Sequence, residues 1–173
     1  FDRRGDAPRH VAVKSSIPIS RAAFDRSALG VRWDEPGERS AFDLASGSAR
    51  GAIARGKDRI GWDLRYPAEG PPLELLPYPW MYTAPFPKST LVTPVADTLF
   101  SGAVEVNGER WDVDGWAGMQ GHNWGAEHTF EYAWGQCVFP EADAMLEGFS
   151  ARVKVGGRTT PRLSGLVVRR GAR

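Results

Sequence analysis

Apolar side chains recur at every second position through much of this chain, and that period of two narrows its folding options most. Ile60, Trp62, Leu64 and Tyr66 form the cleanest run, with Gly61, Asp63 and Arg65 on the opposite side. Leu29, Val31 and Trp33 alternate with Gly30 and Arg32, and Phe42 and Leu44 alternate with Ala41 and Asp43. Successive side chains of an extended backbone point to opposite sides, so this pattern marks half-buried strands with one face in a core and one in water. Between the runs stand Glu35-Pro36-Gly37, Ala45-Ser46-Gly47-Ser48 and Arg55-Gly56-Lys57-Asp58, residues suited to tight turns.

The strongest local signal is Asn107-Gly108, the preferred type I′ hairpin turn, flanked by Ser101 to Val106 and Glu109 to Val113. The implied register sets Val106 against Glu109, Glu105 against Arg110 and Val104 against Trp111. That places an ion pair on one face and a Val–Trp contact on the other. Phe130 to Phe139 is strand-like, Leu146 to Val155 alternates again, Gly156-Gly157 turns the chain, and Leu163 to Arg169 makes a last strand.

The lead-in Phe1 to Arg9 is charged and reads as frayed. Val11 to Val13 and Ile17 to Ile19 are expected as short edge strands, and Ser20 to Ala28 as the best of few helices, about two turns long with Ser20 as cap. Residues 67 to 94 carry Pro67, Pro71, Pro72, Pro77, Pro79, Pro85, Pro87 and Pro94, which break long elements. Leu75, Leu76, Tyr78, Trp80, Met81, Tyr82 and Phe86 lie between them, and a disordered linker would be poor in such residues. An ordered loop across a barrel mouth or sheet face is expected there. About ten short strands with turns every 8–12 residues, and very little helix, define an all-β, antiparallel sandwich or barrel.

Composition excludes several function classes. Lys+Arg 22 against Asp+Glu 21 leaves a net charge of +1, with no reason to expect nucleic acid or an acidic partner. The basic residues after Glu147 are spread along strand faces and read as a solvated surface. No run of 18 apolar residues is present, so no transmembrane helix is expected. One cysteine excludes an internal disulfide and leaves the redox compartment open. The chain starts at Phe1 without Met and stops at Arg173 just after Leu166-Val167-Val168, so it is expected to be part of a longer protein. It contains no G-x-S-x-G, P-loop or G-x-G-x-x-G motif, and no cofactor is expected.

Chemistry is concentrated from Trp111 to Phe139, which holds four of the seven tryptophans, two of the three histidines and the cysteine. In extended geometry Gln120, His122 and Trp124 share one side, with Gly121, Asn123 and Gly125 on the other. Glycines in a strand permit close approach of another backbone or a ligand, or mark a bulge. In the next strand Tyr132, Trp134 and Gln136 share a face, while Glu131, Ala133, Cys137 and Phe139 take the other. Turned inward, Gln120, His122, Trp124, Tyr132, Trp134 and Gln136 form a mostly apolar wall with a few hydrogen-bonding groups, as small-molecule pockets have. The same residues suit an ordinary β-core, with His122 bonded to a backbone carbonyl. A zinc site at His122 and His128 lacks a third ligand nearby. Cys137, beside apolar strand residues, behaves as a small hydrophobe rather than a nucleophile.

S-G-x-V-x-V-N-G (Ser101 to Gly108), H-N-W-G (His122 to Gly125) and Y-A-W-G-Q-C-x-x-F (Tyr132 to Phe139), in that order, resemble the lipocalin-like superfamily of AttH-like proteins, carotenoid 1,2-hydratase (hydroxyneurosporene synthase) and tocopherol cyclase. Asn123-Trp124-Gly125 and Trp134-Gly135-Gln136-Cys137 parallel the N-W-G and W-x-W-x-Q-C of tocopherol cyclases. The likeness covers roughly residues 85 to 140. It implies a lipocalin-like, meander-type β-barrel over residues 1–173, one half of a longer two-barrel protein, whose partners are a second barrel of the same chain and an apolar isoprenoid or lipid-like ligand. It also implies, as an alternative, a hydratase or cyclase adding water or a hydroxyl across an isoprenoid double bond by acid catalysis. His122 would then be the polar centre, Trp124, Tyr132 and Trp134 the aromatic wall, Gln136 an orienting group, and Glu131 or Asp114 the acid. A structural barrel domain without a ligand is the remaining alternative.

Overall fold

Thirteen strands and three single turns of 3-10 helix make up the regular structure of residues 10–25, 30–35, 40–85 and 88–171, which the computed structural model describes. The strands are β1 (Ala23–Phe24), β2 (Gly30–Glu35), β3 (Ser40–Ala45), β4 (Ser48–Arg55), β5 (Asp58–Arg65), β6 (Leu73–Glu74), β7 (Ser89–Val106), β8 (Glu109–Gly125), β9 (Glu131–Phe139), β10 (Ala144–Arg152), β11 (Lys154–Val155), β12 (Arg158–Thr159) and β13 (Leu163–Arg170). All the registered pairs are antiparallel. The chain divides into two compact units, one of Phe1–Pro67 with Leu99–Trp116 and one of Ala68–Thr98 with Ala117–Arg173. Among the described residues the strands do not close into a barrel: β9, β10 and β13 form a sheet separate from the one that holds β7 and β8.

In the first unit the strands meander from β1 to β5, and the second half of β7 adds beyond β5. Cross-strand register puts Trp33, Phe42, Gly51 and Trp62 in one row. The rings follow that row, with Trp33 and Phe42 centroids 6.5 Å apart and Phe42 and Trp62 6.2 Å apart. Gly51 makes the row possible, because a Cβ there would fall 2.7 Å from the Trp62 ring and 2.5 Å from the Ala41 carbonyl oxygen. The next row, on the opposite face, is Arg32, Asp43, Arg50 and Asp63, with ion pairs Arg32–Asp43 at 3.4 Å and Arg50–Asp63 at 2.9 Å. Exposed pairs like these add little stability and mainly keep that face wet.

The Asn107-Gly108 turn has φ of 51° and 87°, the two left-handed residues of a type I′ turn. Glu105 bonds Arg59 of β5 at 2.8 Å and Arg110 bonds Asp112 at 3.0 Å, in place of the expected Glu105–Arg110 pair. The physical reason is that β7 has a neighbour on each side, and the β5 register sets Glu105 directly opposite Gly61, two residues from Arg59.

Three expectations for the early chain need correction. Burial alternates along Val11, Val13, Ser15 and Ile17, but no strand pairs there. The Ser20 to Ala28 helix does not form among the described residues: Ile19–Arg21 is one 3-10 turn and β1 follows it, with Phe24 opposite Val31. A two-turn helix is marginal by itself, and strand pairing overrides it. Pro94 does not break its element, since β7 runs through it; the ladder with β6 stops at Thr93, so Pro94 takes no part in that pairing. The lead-in 1–9, and Leu29, Pro36, Gly37, Phe86 and Pro87, lie outside the described residues.

In the second unit Leu73, Ala96 and Met145 form the buried cluster, with Val138 and Val167 packed against it. Described residues of the Pro-rich segment pack here: Leu73 and Leu75 are buried, and the Leu76 amide donates to the Tyr82 hydroxyl at 2.9 Å. Arg169 donates to the carbonyls of Pro71 at 2.8 Å and Pro72 at 3.2 Å, tying β13 to that segment. Register places Tyr132, Trp134, Gln136 and Val138 of β9 beside Ala151, Phe149, Glu147 and Met145 of β10 on the core side. The other side carries Cys137, Phe139, Leu146, Leu166 and Val168, of which all but Leu146 are exposed.

Candidate functional site

The core-side faces of β9 and β10 extend past the Met145 cluster into a cavity of about 380 Å³ within the second unit. β7 contributes Ser89, Leu91, Val92 and Thr93 to its wall; β8 contributes Met119, Gly121, His122 and Asn123; β9 and β10 contribute Tyr132, Trp134, Glu147, Phe149 and Ala151. The volume lies in the range of small-molecule sites. Tyr132 is 63% exposed and Trp134 45% exposed, so these rings face open space rather than a closed core.

His122, Tyr132 and Trp134 are thus brought together in the wall; the alternation along β9 places Tyr132 and Trp134 on one face, whereas on β8 the wall takes Gly121 and Asn123 from the side opposite His122. Trp124 is outside the wall but stacks on His122, with centroids 5.1 Å apart and planes at 20°. Gln120 is buried and outside the wall. Gln136 turns into the core and donates its side-chain amide to the Ala96 carbonyl of β7. Glu131 is outside the wall; it is bonded by Arg162 and lies 3.6 Å from Arg152. Asp114 is exposed and belongs to the first unit. Cys137 is exposed on the far side of the sheet. No group of three or more His, Cys, Asp or Glu suited to a metal occurs among the described residues.

The glycine of H-N-W-G, Gly125, has a backbone role. Gly125 has φ of 151°, and a Cβ there would fall 2.0 Å from the Lys88 carbonyl oxygen. The adjacent Ala126 amide donates to that same oxygen at 3.0 Å, joining the end of β8 to the start of β7.

Of the wall residues that sequence reasoning misses, Glu147 carries the most chemistry. Glu147 is fully buried, and its Oε1 accepts hydrogen bonds from the Thr93 hydroxyl at 2.8 Å and the Trp134 indole N–H at 3.0 Å. Its Oε2 is buried without a hydrogen-bond partner. The signal was readable: carrying the alternation of Ala151 backwards gives Phe149, Glu147 and Met145, a carboxyl in the middle of an apolar face. Buried charged groups on such a face are rare unless paired.

No family model matches the chain, and no curated protein or solved structure matches it either. Among the described residues no helix is long and apolar enough to cross a membrane.

Proposed function

We propose that the second unit binds an apolar small molecule, isoprenoid or lipid-like, in the cavity between β7–β8 and β9–β10, as part of a lipocalin-like β-barrel. The observation that carries this reading is a cavity of about 380 Å³ whose wall holds Tyr132 and Trp134, both well exposed, together with Leu91, Val92, Met119 and Phe149. Tryptophan and tyrosine that serve only as core are covered by their neighbours, and these two are not. The resemblance of Ser101 to Phe139 to the lipocalin-like superfamily supports the same reading.

The hydratase or cyclase alternative needs an acid in the cavity. Glu131 is taken up by Arg152 and Arg162, and Asp114 is in the first unit. The carboxyl that the wall does hold, Glu147, accepts hydrogen bonds from Thr93 and Trp134; binding requires no acid and is the reading put forward for this cavity. Titration with N-phenyl-1-naphthylamine, an uncharged apolar probe at neutral pH, tests it. Probe emission should rise on saturable binding, and Tyr132→Ala with Phe149→Ala should weaken binding about tenfold or more, as loss of two aromatic contacts does. Absence of saturable binding, or equal affinity in the double variant, would refute the assignment.

A further inference from the structure

The cavity wall contains one carboxyl and, among its described residues, no lysine or arginine. Two lysines line an adjacent hollow that shares Ser89, His128 and Thr129 with the cavity, and each is engaged there. Lys88 binds Glu127 at 2.5 Å, and the Lys154 ammonium sits 4.1 Å from the centre of the Phe130 ring. Among the described residues Glu147 has uncharged hydrogen-bond partners alone, Thr93 and Trp134, and both reach the same oxygen. A buried carboxylate with its other oxygen unpartnered is costly unless something in the site brings a compensating charge.

The geometry points to an organic cation as the preferred ligand: an amphiphilic amine whose ammonium group lies near Glu147 and whose apolar body fills the cavity. This deepens the small-molecule reading above and rests on it. Two features converge on the ammonium group. Charge attraction acts strongly where water is excluded, as it is around Glu147, which is 0% exposed. Trp134 and Tyr132 line the same cavity, and aromatic rings attract cations, tryptophan most of all. The indole N–H that donates to Glu147 draws electron density toward its own ring, which strengthens that attraction. A carboxylate-bearing ligand of the same size meets repulsion at this wall instead.

The experiment compares three probes of one chain length at pH 7, octylamine, 1-octanol and octanoate, by quenching of intrinsic tryptophan emission in the whole chain. Octylamine should bind at least about tenfold more tightly than 1-octanol, and octanoate more weakly than either. Glu147→Gln keeps the side-chain shape and removes the charge; it should bring octylamine and 1-octanol to within about twofold of each other. The wild-type ranking needs no variant, so the proposal stays testable if Glu147→Gln fails to fold. Octanol binding as tightly as octylamine would overturn the cationic preference and leave the apolar pocket standing. A preference for octylamine that survives Glu147→Gln would overturn the role of the carboxylate. No binding by any of the three would overturn this inference together with the pocket.

Discussion

Gly125→Ala separates a glycine that admits a ligand from one that admits backbone. The added methyl would lie 2.0 Å from the Lys88 oxygen, 2.8 Å from Ser89 Cα and 2.9 Å from the Lys88 carbonyl carbon, so the chain must move. A φ of 151° is also a conformation that only glycine holds easily, and forcing another residue into it costs about 1–3 kcal/mol. Displacing Lys88 weakens the Ala126 amide bond to its oxygen, 3.0 Å long, for about 1 kcal/mol more. The total is about 2–4 kcal/mol. Gly56→Ala is the control, because φ there is 59° and nothing lies within 4 Å of the new methyl; only the left-handed backbone cost of about 1–2 kcal/mol applies. Urea denaturation followed by tryptophan emission gives both values, and hydrogen exchange at the Ala126 amide shows whether the loss is local. Equal stability of the two variants, or a Gly125→Ala protein of wild-type stability with weakened binding of N-phenyl-1-naphthylamine, would refute the backbone role.

Trp134→Phe removes the indole donor to Glu147 and should cost about 1–2 kcal/mol in thermal unfolding, with octylamine affinity falling more than that of 1-octanol. Thr93→Val removes the other donor, and its effect should be non-additive with Trp134→Phe in a double-mutant cycle because both reach one oxygen. Burial raises the pKa of Tyr66 above its ordinary 10.0, and burial is also the leading cause for Tyr82. The unfolded chain therefore releases these protons first, and stability is full below about pH 10 and falls as pH rises from there toward the folded-state values. Tyr66→Phe should reduce that alkaline loss in pH-dependent urea midpoints. Lys88→Ala breaks only an exposed pair with Glu127 and should change stability by less than about 0.5 kcal/mol.

The strands were legible where one face meets apolar neighbours and the other meets water. Ile60 to Tyr66 and Tyr132 to Gln136 alternate because each strand is covered on one side, and β5 and β9 appear where that pattern predicts. Asn107-Gly108 was legible because few residues tolerate two consecutive positive φ values. The Ser20 to Ala28 segment was not, because its choice between helix and strand depends on β2, a partner that local propensity does not register. Half of the site was visible in the same way: β9 alternation places Tyr132 and Trp134 together, whereas the wall on β8 takes Met119, Gly121 and Asn123 along with His122. Simple alternation cannot find that, since consecutive residues of one strand reach the same space. Gln136 looks like a ligand group by type and serves as a bridge to Ala96. Glu147 needed the opposite logic, in which the residue that breaks an apolar face is the informative one.

The sheet of β9, β10 and β13 carries apolar residues on both sides, with Phe139 43%, Leu166 65% and Val168 61% exposed on the side away from Met145. Exposed apolar area of this kind governs colloidal behaviour as much as folding. Samples of this chain should show light scattering that grows with concentration and with added sulfate, which strengthens apolar association. Leu166→Lys with Val168→Thr should suppress it without touching the cavity, which makes that pair a practical first change for solution work.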